Sequence, residues 1–236
     1  MADRFFVETP PPFAGEVVIT GPDAHHMTGV RRFAAGDRVT LFCGDGHEYE
    51  AEIVGVGKKA VTLAVLGVSA VDREPPFPVV VASALPKGDR ADYLVEKLVE
   101  VGATRFIPLA TARSVVVPKD AKTGKLERAV IEASKQCGRN RQMMVDPPTT
   151  WAGLLAPTDL PAARFVLHTA DAVPASTIPR QELTAGVVFA VGPEGGLAPE
   201  EVAAALAAGW RVIGFGPRVL RVETAAVVAA AWATSQ

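Results

Sequence analysis

From Pro78 onward the sequence alternates two patterns, and that alternation restricts the fold more than any other feature. The continuous apolar runs "PVVVASAL", "TRFIPLAT", "ARFVLHTA", "GVVFAVG" and "WRVIGFG" read as strands buried on both faces. Between them lie segments with helical spacing. "KGDRADYLVEKLVEVGA" puts Leu94, Leu98 and Val101 on one face, with Asp89 at the capping position and Gly102 at the end. "TGKLERAVIEASKQCGR" puts Leu126, Val130 and Cys137 on one side, and "APEEVAAALAAG" and "VETAAVVAAAWATS" complete the series. Strands alternating with helices give an α/β domain whose parallel sheet is covered by helices.

The first seventy residues follow another rule. "GEVVIT", "DRVTLFCG", "HEYEAEIVGVG" and "KAVTLAVLGV" are short runs rich in Val, Thr and Ile, separated by Gly-Asp turns. They read as a small β-barrel or sandwich, with one short helix near "GPDAHHMTGVRR" that Asp23 is placed to cap. "VDREPPFPV", with Pro75, Pro76 and Pro78, makes a stiff connector. The expected domains are therefore residues 1–72 and 76–236.

No run of eighteen apolar residues is present, so no membrane span is expected. "MADRFFVETPPPF" lacks the apolar stretch of a signal peptide. Cys43 and Cys137 lie far apart and read as free thiols in a reducing cytoplasm; with His25, His26, His47 and His168 they form no metal-ligand spacing, and no metal is expected. The net charge of -2 announces no nucleic acid, but charge is segregated. Residues 113–142 hold eight Lys or Arg against three acids, whereas residues 1–74 hold seven against eleven. A basic segment of this kind is either a phosphate footprint or a solvated helix face.

In open α/β sheets, ligands bind beyond the carboxyl ends of the strands. Three such ends carry unusual sequence: Leu167 to Asp171, "VGPEGG" from Val191 to Gly196, and "GFGPRVLRVETA" from Gly214 to Ala225. Glycine lets a backbone approach a ligand closely. Glu200 and Glu201, at the start of the helix after "VGPEGG", disfavour phosphate there and suit a neutral or cationic ligand. Arg218, Arg221 and Glu223 sit inside a very apolar C-terminus, where charges need partners or a task.

Taken in order, these stretches resemble a known family. "AVGPEGGLAPEEV" followed by "GFGPRVLRVETAAVVA" is similar to the C-terminal signature of the bacterial 16S ribosomal RNA uracil-N3 methyltransferases, of the SPOUT superfamily. "LPKGDRADYLVEKLVEVGATRFIPL", "ARSVV", "EASKQCGRNR" and "HHMTGVRR" resemble further elements of that family, so the likeness spans nearly the whole chain. Cys137 stands where the family more often has serine, and Arg31 where it often has leucine.

The resemblance implies an N-terminal PUA-like β-barrel that holds RNA and a C-terminal SPOUT domain with a deep trefoil knot. It implies S-adenosyl-L-methionine as methyl donor, a homodimer, and a decoding-region uridine of 16S rRNA in the 30S subunit as substrate. Its donor pocket would fall on Leu167, His168, Thr169, Val191, Gly192, Pro193, Glu194, Gly195, Gly196, Gly214, Phe215, Gly216, Leu220, Arg221, Glu223, Thr224 and Ala225. Its RNA contacts would fall on His26, Arg31, Arg32, Lys87, Arg113, Lys135, Gln136, Arg139 and Arg141. Methylation at uracil N3 requires loss of the N3 proton, so the candidates for chemistry are Arg139 and Arg221, to stabilise charge on O2 or O4, and Glu223, to accept the proton. Two other readings remain: a SPOUT ribose 2′-O-methyltransferase, and a non-catalytic RNA-binding ribosome-assembly factor.

Overall fold

A computed structural model describes residues 3–116, 123–156 and 159–235. Lys119, Asp120 and Lys122 of the basic segment lie outside the described residues. The chain forms two units, Met1–Arg73 with Ser134–Gln142, and Glu74–Ala133 with Met143–Gln236.

The first unit is a curled five-stranded sheet. Its strands are β1 (Arg4–Phe6), β2 (Glu16–Thr20), β3 (Arg38–Phe42), β4 (His47–Val56) and β5 (Ala60–Ala70), in the order β1-β3-β4-β5-β2. Alternation decides which side faces in. Tyr49, Ala51 and Ile53 of β4 are buried, as are Val61, Leu63 and Val65 of β5, while Glu50 and Val54 point outward. β1 has no signature of its own; three residues become a strand by pairing in parallel with β3.

Helix α1 (Gly21–His25) continues into a wider turn over His26–Val30, closed by the Arg31 amide on the His26 carbonyl at 2.9 Å. Asp23 does not cap it: no side-chain cap bond forms, and the Asp23 carboxylate instead accepts from Lys135 Nζ at 3.0 Å. A cation within reach outcompetes a backbone amide for the carboxylate.

The second unit is built on a parallel sheet. Its strands are β6 (Val79–Ala84), β7 (Arg105–Ala110), β8 (Met144–Val145), β9 (Thr149–Thr150), β10 (Ala163–Leu167), β11 (Val173–Pro174), β12 (Val187–Val191) and β13 (Arg211–Gly214). The order is β11-β13-β10-β12-β6-β7-β8, with β9 also pairing β7. Every residue of β6 and β12 is buried, which is why these strands lack alternation. The helices are α2 (Arg90–Glu100), α3 (Thr123–Cys137), α4 (Trp151–Leu155), α5 (Pro199–Ala207) and α6 (Val222–Thr234). Asp89 occupies the residue before α2, but its side chain makes no cap bond. Glu201 does close the start of α5, accepting from the Ala198 amide at 2.8 Å.

Sequence placed the boundary between 72 and 76 and left all later residues in the second domain. The structure returns Ser134–Gln142 to the first unit. Helix α3 ends at Gly138, whose φ of +83 suits the turn, and hydrogen bonds then hold the following segment. Arg73 Nη1 donates to the Gly138 carbonyl at 2.7 Å, Asn140 Nδ2 to the Val71 carbonyl at 3.0 Å, and the Gly46 amide to the Asn140 carbonyl at 3.0 Å.

Candidate active site

Register aligns three strand ends. Leu167 of β10 lies opposite Val191 of β12 on one side and Ile213 of β13 on the other, so the loops after all three strands begin at one level. They enclose a pocket of about 160 Å³. Leu167, Val191, Leu197, Ile213, Leu220 and Val222 supply apolar wall. Gly192, Pro193, Glu194 and Gly196 form one rim, and Gly214, Phe215, Gly216, Arg218 and Val219 the other, with His168, Thr169 and Ala225 completing the lining. Within the first rim the Gly196 amide donates to the Pro193 carbonyl at 2.8 Å, closing a turn, and Gly196 sits at φ +69, where a side chain is strained. His168 Nδ1 lies within hydrogen-bond distance of both the Ala170 amide, at 3.1 Å, and the Ala170 carbonyl, at 3.3 Å.

Among the residues expected at a donor pocket, Gly195, Arg221, Glu223 and Thr224 do not line it, and Leu197, Ile213, Arg218, Val219 and Val222 line it without having been expected. Helical spacing carried the signal for Val222, which lies three residues before Ala225 on the same face of α6. Gly195 turns its outer side to Arg113, whose Cβ lies 3.4 Å from where a Gly195 side chain would begin. Glu223 is only 7% exposed and points to Arg90, with Oε1 3.6 Å from Nη1; its Oε2 has no hydrogen-bond partner among the described residues. Arg90 also donates to Glu194 Oε1 at 3.2 Å, so one guanidinium links the pocket rim to the start of α6. Arg221 is exposed at the residue preceding α6.

The expected RNA contacts separate into two groups. His26, Arg32, Lys87 and Gln136 are exposed. The others have partners within the chain: Arg31 pairs with Asp3, Lys135 with Asp23, Arg113 donates to the Gly195 carbonyl at 3.0 Å, and the Arg141 guanidinium lies against Gly46. Arg139 was expected both among the RNA contacts and in the chemistry. It is instead 4% exposed, within the segment that belongs to the first unit. The backbone after Gly138 turns into that unit and carries the side chain with it.

The first unit contains two carboxylates whose pKa values lie below the usual range. Burial alone would raise Glu48, but hydrogen bonds from Arg73, Arg4 and Asn140 outweigh it and hold its pKa below the usual value. Burial would likewise raise Asp45, but bonds from the Tyr49 hydroxyl and the His47 amide outweigh it and hold its pKa below the usual value. Among the described residues no group of three metal-ligating side chains occurs, and no helix is long and apolar enough to cross a membrane.

A parallel sheet with glycine loops at its aligned carboxyl ends, in a chain that also carries a separate curled β unit, matches the make-up of an RNA methyltransferase with a PUA domain. The family model described as an RNA methyltransferase domain matches residues 73–234, and that of an RNA methyltransferase PUA domain matches residues 19–66. The ribosomal RNA small subunit methyltransferase E of Bacillus subtilis is 32% identical over 94% of this chain and 90% of its own, and that of Mycobacterium bovis is 33% identical over 97% and 90%. A methyltransferase from Legionella pneumophila, solved with bound SAM, superposes with a TM-score of 0.91 at 30% identity, covering 99% of this chain and 97% of its own. The chain belongs to the ribosomal RNA small subunit methyltransferase E family. A member from Neisseria gonorrhoeae, bound to S-adenosyl methionine, has a TM-score of 0.90 at 27% identity, covering 98% of this chain and 96% of its own.

Proposed function

We propose that this chain methylates N3 of a decoding-region uridine in small-subunit ribosomal RNA, with S-adenosylmethionine bound in the pocket between β10, β12 and β13. The observation that carries the reading is the alignment of Leu167, Val191 and Ile213, which brings three loops to one level around an apolar pocket. The residues present fit the donor. Leu167, Val191 and Leu220 offer apolar wall to a base, the glycines bring backbone groups to its edge, and Glu194, whose carboxylate also accepts from Arg90, is the acid in the lining. When bound, S-adenosylmethionine would supply an electrophilic methyl group on cationic sulfur; methylation of the N3 anion, its proton already lost, would exchange the sulfur–carbon bond for a nitrogen–carbon bond and leave a neutral thioether.

The chain's part is to orient the acceptor, exclude water and favour the N3 anion. Arg221, exposed beside the pocket-lining Leu220 and Val222, is the first candidate to stabilise charge on O2 or O4. Arg218, on the rim itself, is the second. Arg139 ranks below both because it is buried in the first unit. Glu223, which faces Arg90, acts in this reading as an anchor of α6 rather than as the base.

Three further features belong to the same proposal. The curled sheet of the first unit closes into an RNA-holding barrel. The C-terminal segment is knotted, which agrees with α6 returning from β13, across the sheet, to pack on β6 and α2. The enzyme works as a homodimer in the cytoplasm. The deciding experiment incubates the protein and labelled donor with small ribosomal subunits lacking the modification, then locates the label by nuclease digestion and mass spectrometry. Label on uracil N3 supports the reading, and label on a ribose 2′-oxygen overturns it.

A further inference from the structure

We infer that Arg113 is a positioning residue for the donor pocket: it holds the Gly192–Leu197 loop from its outer side. This rests on the reading of that pocket as the donor site. Sequence reasoning had assigned Arg113 to RNA. Its Nη1 donates to the Gly195 carbonyl at 3.0 Å and to the Leu197 carbonyl at 3.4 Å, spanning Gly196, the residue at positive φ. The neighbouring backbone joins the same loop, for the Ala112 amide donates to Glu201 Oε1 at 2.8 Å, while Glu201 Oε2 accepts from the Ala198 amide at 2.8 Å. The segment after β7 is therefore stitched to both the loop and the start of α5.

Geometry explains why this matters to the pocket. Gly192, Pro193, Glu194, Gly196 and Leu197 line it, whereas Gly195 turns outward and packs on Arg113. A loop with three glycines in five residues has many conformations in the absence of external ties. Fixing two of its carbonyls from behind leaves the inner face preformed, and a preformed loop spares the donor the cost of ordering it. The contacts are charge-assisted, and they are made to main-chain atoms, so the loop side chains need not change for the effect to be lost.

The test compares wild type, Arg113→Ala and Arg113→Lys in three measurements: S-adenosylmethionine binding by calorimetry, small-subunit binding over a salt series, and steady-state turnover. Arg113→Ala is expected to raise donor Kd and KM by about tenfold, the scale of a lost hydrogen bond to a charged group. It should leave turnover at saturating donor within about twofold of wild type, and RNA affinity and its salt slope unchanged. Arg113→Lys should recover part of the loss, since an ammonium replaces one of the two contacts. Unchanged donor affinity with weaker RNA binding and a shallower salt slope would overturn the inference and return Arg113 to the RNA contacts. Equal loss of donor and RNA binding with a lowered melting temperature would overturn it in favour of a general structural role. If wild type itself binds no donor, the pocket reading fails first and the role of Arg113 falls with it.

Discussion

Arg4 Nη2 lies 2.5 Å from Asn140 Oδ1, although 136 residues separate them in the chain. Asn140 is 2% exposed and also donates to the Val71 carbonyl and to Glu48 Oε1. Removing it takes one hydrogen-bond partner each from Arg4, Val71 and Glu48. Asn140→Ala is expected to cost about 1–3 kcal/mol of stability. Urea unfolding followed by circular dichroism measures it; a midpoint equal to wild type would show that the network is not needed to hold the segment.

Glu48 gives that network a pH dependence. Its folded pKa lies below the ordinary 4.5, so the folded state favours the carboxylate. The stabilisation is complete above about pH 5, where the unfolded carboxyl is also ionised, and is lost as pH falls through the folded value. Glu48→Gln should therefore be less stable than wild type at neutral pH, and the difference should shrink as the pH falls below about 5. Melting temperatures of both proteins across that range decide it, and a gap that stays constant with pH would refute the assignment.

Gly196 tests the shape of the pocket rim. At φ +69 a β-branched residue is strained whatever space surrounds it. Gly196→Val should weaken S-adenosylmethionine binding by roughly tenfold or more, while far-ultraviolet circular dichroism stays that of the wild type. Full donor affinity in the folded variant would remove this turn from the donor site.

Arg221 tests the chemistry. If its guanidinium steadies the developing uracil anion, Arg221→Ala should slow single-turnover methylation of saturating small subunits by roughly 100-fold. A normal rate constant with weakened RNA binding would make it a phosphate contact instead.

The homodimer is checked most simply by mass. Ala226, Ala229, Ala230 and Ala233 of α6 are buried within the chain, which accounts for much of that helix's apolar composition. Val219 is 85% exposed at the pocket rim, however, and Tyr93 of α2 is 50% exposed. Covering such residues in a second copy predicts a dimer by light scattering at micromolar protein. A monomer mass would end that part of the proposal.

The sequence by itself determined what depends on local periodicity. Continuous apolar runs marked β6, β7, β10, β12 and β13; β6 and β12 are buried at every residue, and a strand buried on both faces has no polar side to alternate with. Helical spacing marked α2, α3, α5 and α6, Gly102 marked the end of α2, and the glycines after Val191 marked a loop that lines the pocket. Tertiary structure alone decided the partners. Three-residue β1 exists through its pairing with β3, residues 134–142 join the first unit through Arg4, Gly46, Val71 and Arg73, and Arg113 meets Gly195 from 82 positions away. Periodicity records whether a side chain is buried, a property each residue carries in its own neighbourhood. Which donor meets which acceptor is set by strand order and register, so a charged side chain looks the same in sequence whether it faces RNA, a carbonyl or another charge.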